Sequence, residues 1–216
     1  MSRPMKTSAP STLRVLILAF DGVEALDFAG PFEVFTTASR VHARQHPQQP
    51  PLFEVQSVAQ AELVQARAGL KLLADLNLDQ AVQADLLIVP GGVVDAALAS
   101  PAILAWIASQ SQGAHITASV CTGAFLLASS GVLHGDERVT THWEDVGELR
   151  ERFPGLDVAE DVRWVDNGRT VTSAGISAGI DMSLHLVERL AGRDLALRTA
   201  RQMDFAWTSN PNAPCA

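Results

Sequence analysis

Apolar runs alternate along the chain with segments of helical spacing. Four apolar runs bounded by polar residues predict buried strands: "LRVLILAF" (Leu13–Phe20), "FEVQSVA" (Phe53–Ala59), "ADLLIVPGG" (Ala84–Gly92) and "AHITASVC" (Ala114–Cys121). Apolar residues recurring every three or four positions predict helices at Gly30–Val41, Ser100–Gln112, Thr122–Gly131, His142–Phe153 and Ser177–Gly192. Because strands and helices alternate, the pattern predicts an α/β fold with a mostly parallel sheet and helices on both faces.

Turn residues add detail to this picture. Pro31 is predicted at the first position of its helix, where its missing N–H is not needed. The pair Asn167-Gly168 predicts the turn of a hairpin over Asp161–Gly175. The polar, proline-rich stretch His42–Pro51 predicts a surface loop, and "DLALRTARQMDF" predicts a terminal helix after Gly192.

Composition narrows the class of protein. Of the 216 residues, 47% are apolar, which supports one large core over residues 13–208. Residues 1–12 are expected to be a disordered tail, and residues 209–216 a loose tail. The net charge of −8 argues against a nucleic-acid partner, and no apolar run is long enough for a membrane partner. We therefore expect a cytoplasmic protein.

Cys121 stands where a predicted strand passes into a predicted helix. A residue at such a turn is held in a strained backbone with its side chain exposed, and the following helix N-terminus favours a thiolate. A second interpretation remains open, in which Cys121 only fills space in the core. The other cysteine, Cys215, lies in the expected C-terminal tail, and we expect it to be dispensable. Two cysteines do not make a disulfide framework.

Two further features are expected at the same carboxyl edge of the sheet. Glu24 and Asp27 follow the first strand, and one of these carboxylates could act as an acid or base beside the thiol. The alternative is that Asp27 caps the next helix. After the third strand, the N–H groups of Gly91 and Gly92 could bind an oxyanion, since no side chain blocks the approach of a ligand.

Five stretches together carry a resemblance to a known family. They are "LILAFDGVEALDFAGPFEVF", "DLLIVPGG", "VCTGAFLLASSGVL", "VTTHW" and "TSAGISAGIDMSLHLVE". In order and spacing, from Leu13 to about Arg201, the chain resembles the DJ-1/PfpI superfamily, which is class I glutamine amidotransferase-like. Within that superfamily it is most similar to isocyanide hydratases and to the sensor domains of AraC-type regulators.

The resemblance implies a fold, a site and an assembly. The implied fold is a flavodoxin-like three-layer sandwich with a nucleophile elbow, usually as a homodimer. The implied catalytic residues are the nucleophile Cys121, its acidic partner Asp27 and Thr122, whose N–H and hydroxyl lie beside the thiol. The implied oxyanion or substrate-binding residues are Gly91, Gly92, Ile176 and His142, although a packing role for His142 stays open. The reaction needs no metal and no organic cofactor, and the partner is a small electrophilic substrate.

One departure from the family pattern helps to choose between the reactions that family members catalyse. Protease-like members have His directly after the nucleophile, whereas this chain has Thr122, so a peptidase would lack its base. We therefore expect an isocyanide hydratase-like hydro-lyase. The alternatives are glyoxalase or deglycase activity on 2-oxoaldehydes, and a non-catalytic domain that senses a small ligand. Regulator relatives carry a helix-turn-helix region after this domain, and we expect none here because the sequence ends at Ala216.

Three other residues receive structural interpretations. Asp181 and His185, one helical turn apart, are expected to form a solvated pair rather than a metal site, because no third ligand is evident. Trp207 is expected near the tail, within reach of a partner subunit.

Overall fold

A seven-stranded sheet forms the centre of the computed structural model, which describes residues 12–213. The strands are β1 (Leu13–Ala19), β2 (Phe53–Ala59), β3 (Leu63–Gln65), β4 (Lys71–Leu73), β5 (Leu76–Asn77), β6 (Leu86–Val89), β7 (Ile116–Val120), β8 (Arg138–Val139), β9 (Asp157–Val158), β10 (Trp164–Asp166) and β11 (Thr170–Ser173). In the central sheet the order is β10-β11-β7-β6-β1-β2-β5, and every neighbouring pair is parallel except β10 with β11.

Helices cover both faces of this sheet. They are α1 (Ala25–Gln45), α2 (Asp95–Leu98), α3 (Pro101–Gly113), α4 (Gly123–Ser129), α5 (Val146–Arg152), α6 (Ile176–Ala191) and α7 (Arg193–Gln202). Helices α1, α6 and α7 pack against one another in one layer, and α2, α3 and α4 form a second group. The predicted α/β three-layer sandwich with a mostly parallel sheet is therefore confirmed.

The inner strands owe their buried positions to their composition. Every residue from Val15 to Ala19 in β1 and from Leu86 to Val89 in β6 is buried. A parallel sheet covered on both faces needs such continuous apolar strands, since each side chain meets a helix layer whichever way it points. Helix α3 begins as predicted, because the Ser100 hydroxyl accepts a hydrogen bond from the Ile103 N–H and Pro101 follows it.

Helix α1 is longer than the sequence predicts. It begins at Ala25 rather than Gly30 and runs through His42 to Gln45, so Pro31 lies inside it. Good helix formers precede the proline, and the N–H that Pro31 lacks removes only one hydrogen bond near the start of a long, well-packed helix. As a consequence Asp27 lies within the first turn of α1, and Glu24 is at the N-cap position without a side-chain cap bond.

Several short elements were not predicted. These are the hairpin β3–β4, the edge strand β5 and the small parallel sheet of β8 and β9. The predicted helix His142–Phe153 is a 3₁₀ turn over Trp143–Asp145 followed by α5. Strands of two or three residues are too short to show a hydrophobic period, so sequence patterns miss them. Within residues 12–213, no helix combines the length and apolar content needed to cross a bilayer.

Candidate active site

Cys121 occupies the tight turn between β7 and α4. Its φ is +55°, which is a strained region for a residue other than glycine. The turn is held on both sides: the Cys121 N–H donates to the carbonyl of Ser173 (3.0 Å), and the hydroxyl of Thr141 donates to the Cys121 carbonyl (2.9 Å). The side chain is only 8% exposed, so the turn presents the thiol to an enclosed site.

Two glycines make this close turn possible. A Cβ on Gly123 would lie 2.1 Å from the Val89 carbonyl oxygen, and a Cβ on Gly91 would lie 2.5 Å from the Thr122 nitrogen. Neither position has room for a side chain. The carboxyl ends of β6 and β7 therefore approach each other through bare backbone, which brings the Pro90–Gly92 loop against the turn.

Asp27 is the acidic group of this site. It is fully buried, and its Oδ2 accepts a hydrogen bond from the Gly91 N–H at 3.2 Å. Its Oδ1 has no hydrogen-bond partner among residues 12–213, so that oxygen is left to hold or accept a proton. Burial raises the pKa of Asp27 from 3.8 to about 7; the Gly91 N–H and the Cys121 side chain oppose this rise, and the charge of Glu24 adds to it. The helix-cap interpretation of Asp27 is thus wrong.

The thiol and the carboxyl group are coupled. Burial raises the pKa of Cys121 to about 12, the negative charge of Asp27 adds to the rise, and the Thr122 N–H opposes it. The expectation that the turn and the short helix α4 lower this pKa is therefore wrong for the closed site, because removal from water outweighs the helix dipole. At neutral pH Asp27 is the group of this pair that gains or loses a proton, and the thiol stays protonated.

The Thr122 side chain is hydrogen-bonded to the loop that was expected to supply an oxyanion hole. Its hydroxyl accepts from the Gly92 N–H (2.8 Å) and donates to the Gly92 carbonyl (2.9 Å). The Gly91 N–H is already donated to Asp27. Both glycines lie where the sequence placed them, but their N–H groups have partners within the chain, so neither is free for a ligand in this state.

A cavity of about 290 Å³ lies where Leu26, which precedes Asp27, meets the segment that follows Ser173, whose carbonyl accepts from the Cys121 N–H. Cys121 and Asp27 are not among its lining residues. Its walls are Leu26, His142, Trp143, Arg163 and residues 174–178. Ile176 lies at its rim, 36% exposed, at the first position of α6. The His142 Nδ1 faces acidic groups on its own side, 3.4 Å from the Asp145 carboxylate, and no described hydrogen bond joins His142 to the thiol.

A family model described as "DJ-1/PfpI family" matches residues 13–189 of this chain, a range that contains the turn, the carboxyl group and the cavity. The chain belongs to the DJ-1/PfpI family. The match covers the whole central sheet, so the family and the observed architecture agree.

Relatives of this DJ-1/PfpI protein differ in what they do. An isonitrile hydratase of Pseudomonas putida is 32% identical over 197 residues, 90% of this chain and 79% of the relative. The transcriptional regulator CdhR of Pseudomonas aeruginosa is 30% identical over 185 residues, which is 86% of this chain and 53% of the regulator. The crystal structure of a THiJ/PfpI family protein from Pseudomonas syringae matches with a TM-score of 0.78 at 24% identity, covering 93% of this chain and 78% of that one.

One buried ion pair was not predicted from the sequence, and two residues were paired wrongly. Asp181 is 1% exposed and binds Arg163, whereas His185 binds Asp166, so Asp181 and His185 do not pair. Spacing along one helix places two side chains near each other but says nothing about which neighbouring strand each one meets. A signal was present, because Arg163 directly precedes the apolar start of β10 and a charge there needs a buried partner.

Two further expectations have structural outcomes. Trp207 does not extend outward, since its indole N–H donates to the Asp181 carbonyl at 3.1 Å. The tail expected to be loose from residue 209 is held at Pro211, whose carbonyl accepts from the Arg163 N–H at 2.7 Å. Cys215 and residues 1–11 lie outside the described residues. Within residues 12–213, no group of three or more His, Cys, Asp or Glu side chains could hold a metal ion.

Proposed function

We propose that this protein is a cysteine-dependent enzyme that hydrates small isocyanides to N-substituted formamides. The observation that carries the proposal is the buried pair of Asp27 and Cys121, which can pass one proton between a thiol and a carboxylate out of contact with water. The 32% identity to an isonitrile hydratase over most of both chains supports it.

In the first step the Cys121 sulfur attacks the terminal carbon of the isocyanide. Asp27, ionised before the reaction, takes the thiol proton as the carbon–sulfur bond forms and then delivers it to the same carbon. The product is a thioimidate, R–N=CH–S–Cys121. A thiol whose pKa lies near 12 can react in this way because the carboxylate removes its proton during the attack rather than before it.

In the second step water adds to the thioimidate carbon. Asp27 accepts a proton from the water and delivers it to the imine nitrogen, giving R–NH–CH(OH)–S–Cys121. Collapse of this adduct breaks the carbon–sulfur bond, returns a proton to the sulfur and releases R–NH–CHO. The sum is one isocyanide plus one water giving one formamide, with the thiol and the carboxylate restored.

This mechanism implies a pH dependence. The reactive pair carries one proton, a state that forms as the pH rises through the pKa of Asp27 at about 7. We therefore expect kcat/KM for an isocyanide to rise with a midpoint near pH 7 and to fall below it, where the carboxyl group is protonated. A flat profile between pH 5 and 9 would contradict the role of Asp27 as proton acceptor.

Two other functions remain in competition. Glyoxalase or deglycase chemistry would use the same thiol on the carbonyl carbon of a 2-oxoaldehyde. A ligand-sensing role is favoured by the closed, protonated thiol and by the likeness to CdhR, of which this chain spans only 53%. Peptidase activity is not expected, because Thr122 occupies the position where a general base would stand.

A free thiol fits a reducing compartment, and we infer a cytoplasmic location.

The deciding experiment is a turnover panel with p-nitrophenyl isocyanide, methylglyoxal and casein. Wild type is compared with Cys121→Ala, and Cys215→Ala serves as the matched control cysteine. We expect formamide production that is lost in Cys121→Ala and retained in Cys215→Ala. Turnover of methylglyoxal alone would favour the glyoxalase alternative, and no turnover with tight binding of a small ligand would favour the sensing role.

A further inference from the structure

The cavity lined by Leu26, His142, Trp143 and residues 174–178 contains one strong cation. Arg163 lines this cavity although it is only 8% exposed, and it lies just before β10. An arginine is almost never this deeply buried unless it is paired, because taking the charge out of water costs several kcal/mol. The rest of the lining is mainly apolar, with Leu26, Trp143 and Ile176 as its large side chains.

Asp181 holds this guanidinium from one side only. The Arg163 Nε donates to the Asp181 Oδ2 at 2.8 Å, and Nη2 contacts the same oxygen. The Asp181 Oδ1 is occupied by the Thr208 N–H at 2.8 Å, and the Asp181 carbonyl by the indole of Trp207 at 3.1 Å. Among residues 12–213 the Arg163 Nη1 forms no hydrogen bond or ion pair. N–H donors of the guanidinium group therefore remain for a ligand in the cavity.

The start of α6 offers further donors to the same cavity. Helix α6 is 16 residues long and begins at Ile176 without a side-chain cap, and residues 175–178 line the cavity. The N–H groups of its first turn therefore have no capping side chain and are available to a ligand in the cavity. Apolar walls with a guanidinium and a helix N-terminus at one end suit a small molecule that is apolar along its body and anionic at one end.

We infer that the substrates of this site carry a carboxylate, which the Arg163 guanidinium and the first turn of α6 bind while the electrophilic carbon reaches Cys121. The part of the inference that concerns the reactive carbon of the substrate rests on the proposed function, and the part that concerns its carboxylate rests on Arg163. An isocyanide of this class is isocyanoacetate, which with one water gives N-formylglycine. No oxidant or other reactant is required.

The other charged groups around the cavity affect how strongly it binds a carboxylate. Asp181 balances the charge of Arg163, and Glu144 and Asp145 lie on the side of His142, to which they are bound. The site therefore offers directed donors rather than a large net positive charge. The selectivity we expect is for a planar carboxylate in one orientation, and an ammonium group is not favoured.

The kinetic test compares isocyanoacetate with its ethyl ester, which has the same reactive group and no charge. Arg163→Lys keeps the ion pair with Asp181 but removes the fork, and Arg189→Lys is the control because Arg189 pairs with Asp166 outside the cavity. We expect Arg163→Lys to lower kcat/KM for isocyanoacetate at least roughly tenfold and to leave the ester within about twofold. Equal effects on both substrates, or no effect, would overturn the inference.

A binding test separates this inference from the reaction. In Cys121→Ala, calorimetry compares N-formylglycine with N-formylglycinamide, and circular dichroism verifies that Arg163→Lys is folded. If wild type turns over neither isocyanide, the proposed reaction fails, but tighter binding of the acid that disappears in Arg163→Lys still supports the carboxylate site. Equal binding of acid and amide, or binding of neither, contradicts it.

Discussion

At the scale of single residues, this protein stores unfavourable energy at its candidate site. Cys121 adopts a positive φ that only glycine adopts readily, and Asp27 is a carboxyl group with no exposure to water. The surrounding fold stabilises both, since hydrogen bonds from Gly91 and to Ser173 hold them in place. Strain and burial of this kind are typical of a site that selection keeps for chemistry rather than for stability.

Replacing Asp27 with Asn should separate function from stability. We expect turnover to fall at least a hundredfold, because the proton acceptor is gone. The pKa of Asp27 is raised from 3.8 to about 7, so the folded state is favoured by its protonation at low pH and loses that advantage as the pH rises. Asp27→Asn should therefore stabilise the protein by about 2–4 kcal/mol at pH 8, and by much less at pH 4.

Denaturant unfolding at both pH values measures this difference. Asp75→Asn provides the control for general effects of removing a carboxylate, since Asp75 binds the Ser57 N–H and hydroxyl away from the thiol. Equal stability changes for Asp27→Asn at pH 4 and pH 8 would show that its carboxyl group is not strained by burial.

The same substitution should change the reactivity of the thiol. The negative charge of Asp27 is one cause of the raised pKa of Cys121, so its removal lowers that pKa and increases the thiolate fraction at a given pH. We expect Cys121 in Asp27→Asn to be alkylated by iodoacetamide several-fold faster at pH 9 than in wild type. Peptide mass spectrometry follows the reaction with Cys215 as internal reference, and an unchanged rate would disprove the coupling.

At the scale of elements, close backbone contacts decide where the site can form. The turn after β7 exists because Gly91 and Gly123 let three chain segments meet without side chains between them. Helix α1 places Asp27 at the same point, since its first turn begins six residues after β1 and packs beside the Pro90–Gly92 loop. The elements thus converge at the carboxyl edge of the sheet, as expected for parallel α/β folds.

Two glycine substitutions test this argument. Gly123→Ala would place a Cβ 2.1 Å from the Val89 carbonyl, and we expect a loss of about 3 kcal/mol or more in unfolding free energy. Gly147 lies in α5 with no atom within 4 Å of its Cβ position, so Gly147→Ala should stabilise the protein by up to about 1 kcal/mol. Thermal and urea unfolding measure both. A neutral effect of Gly123→Ala would mean that the turn relaxes freely.

At the scale of the whole molecule, distant segments hold the site together. The segment after α7 returns across α6, where Trp207 and Thr208 bind Asp181 and the Pro211 carbonyl accepts from Arg163. Arg193 lies over the Trp207 ring at 5.5 Å and holds the returning segment on the surface. The cavity wall formed by Arg163 is therefore built from residues about 50 positions apart in the chain.

The expected homodimer also belongs to this scale. The hairpin β3–β4 carries two exposed leucines that are cross-strand neighbours, Leu63 and Leu73, the latter 70% exposed, and adjacent apolar side chains of this kind favour an interface. We expect sedimentation to show about 46 kDa, twice the chain mass of 23.0 kDa, and Leu73→Lys to shift the protein toward the monomer. Leu197→Lys on α7 is the control. A 23 kDa species for wild type at micromolar concentration would refute the dimer.

The sequence by itself determined the architecture and the residues that meet. Continuous apolar strands alternating with helices specify a parallel sheet, and parallel strands bring Asp27, Gly91 and Cys121 to one edge. These features depend on local pattern and on a general rule of topology, so one sequence suffices to predict them. The start of α1 was predicted too late in the chain, because Pro31 is typical of a first helical position and the helix-forming residues before it were given less weight.

Only the tertiary structure decided how those residues behave. The thiol pKa is raised rather than lowered, the N–H groups of Gly91 and Gly92 bind Asp27 and Thr122, and Asp181 pairs with Arg163 rather than with its helical neighbour. Each outcome depends on burial and on a partner far away in the chain. The burial of a single polar group and its pairing with a distant partner leave no periodic trace in the sequence, because both arise when the separate layers pack together.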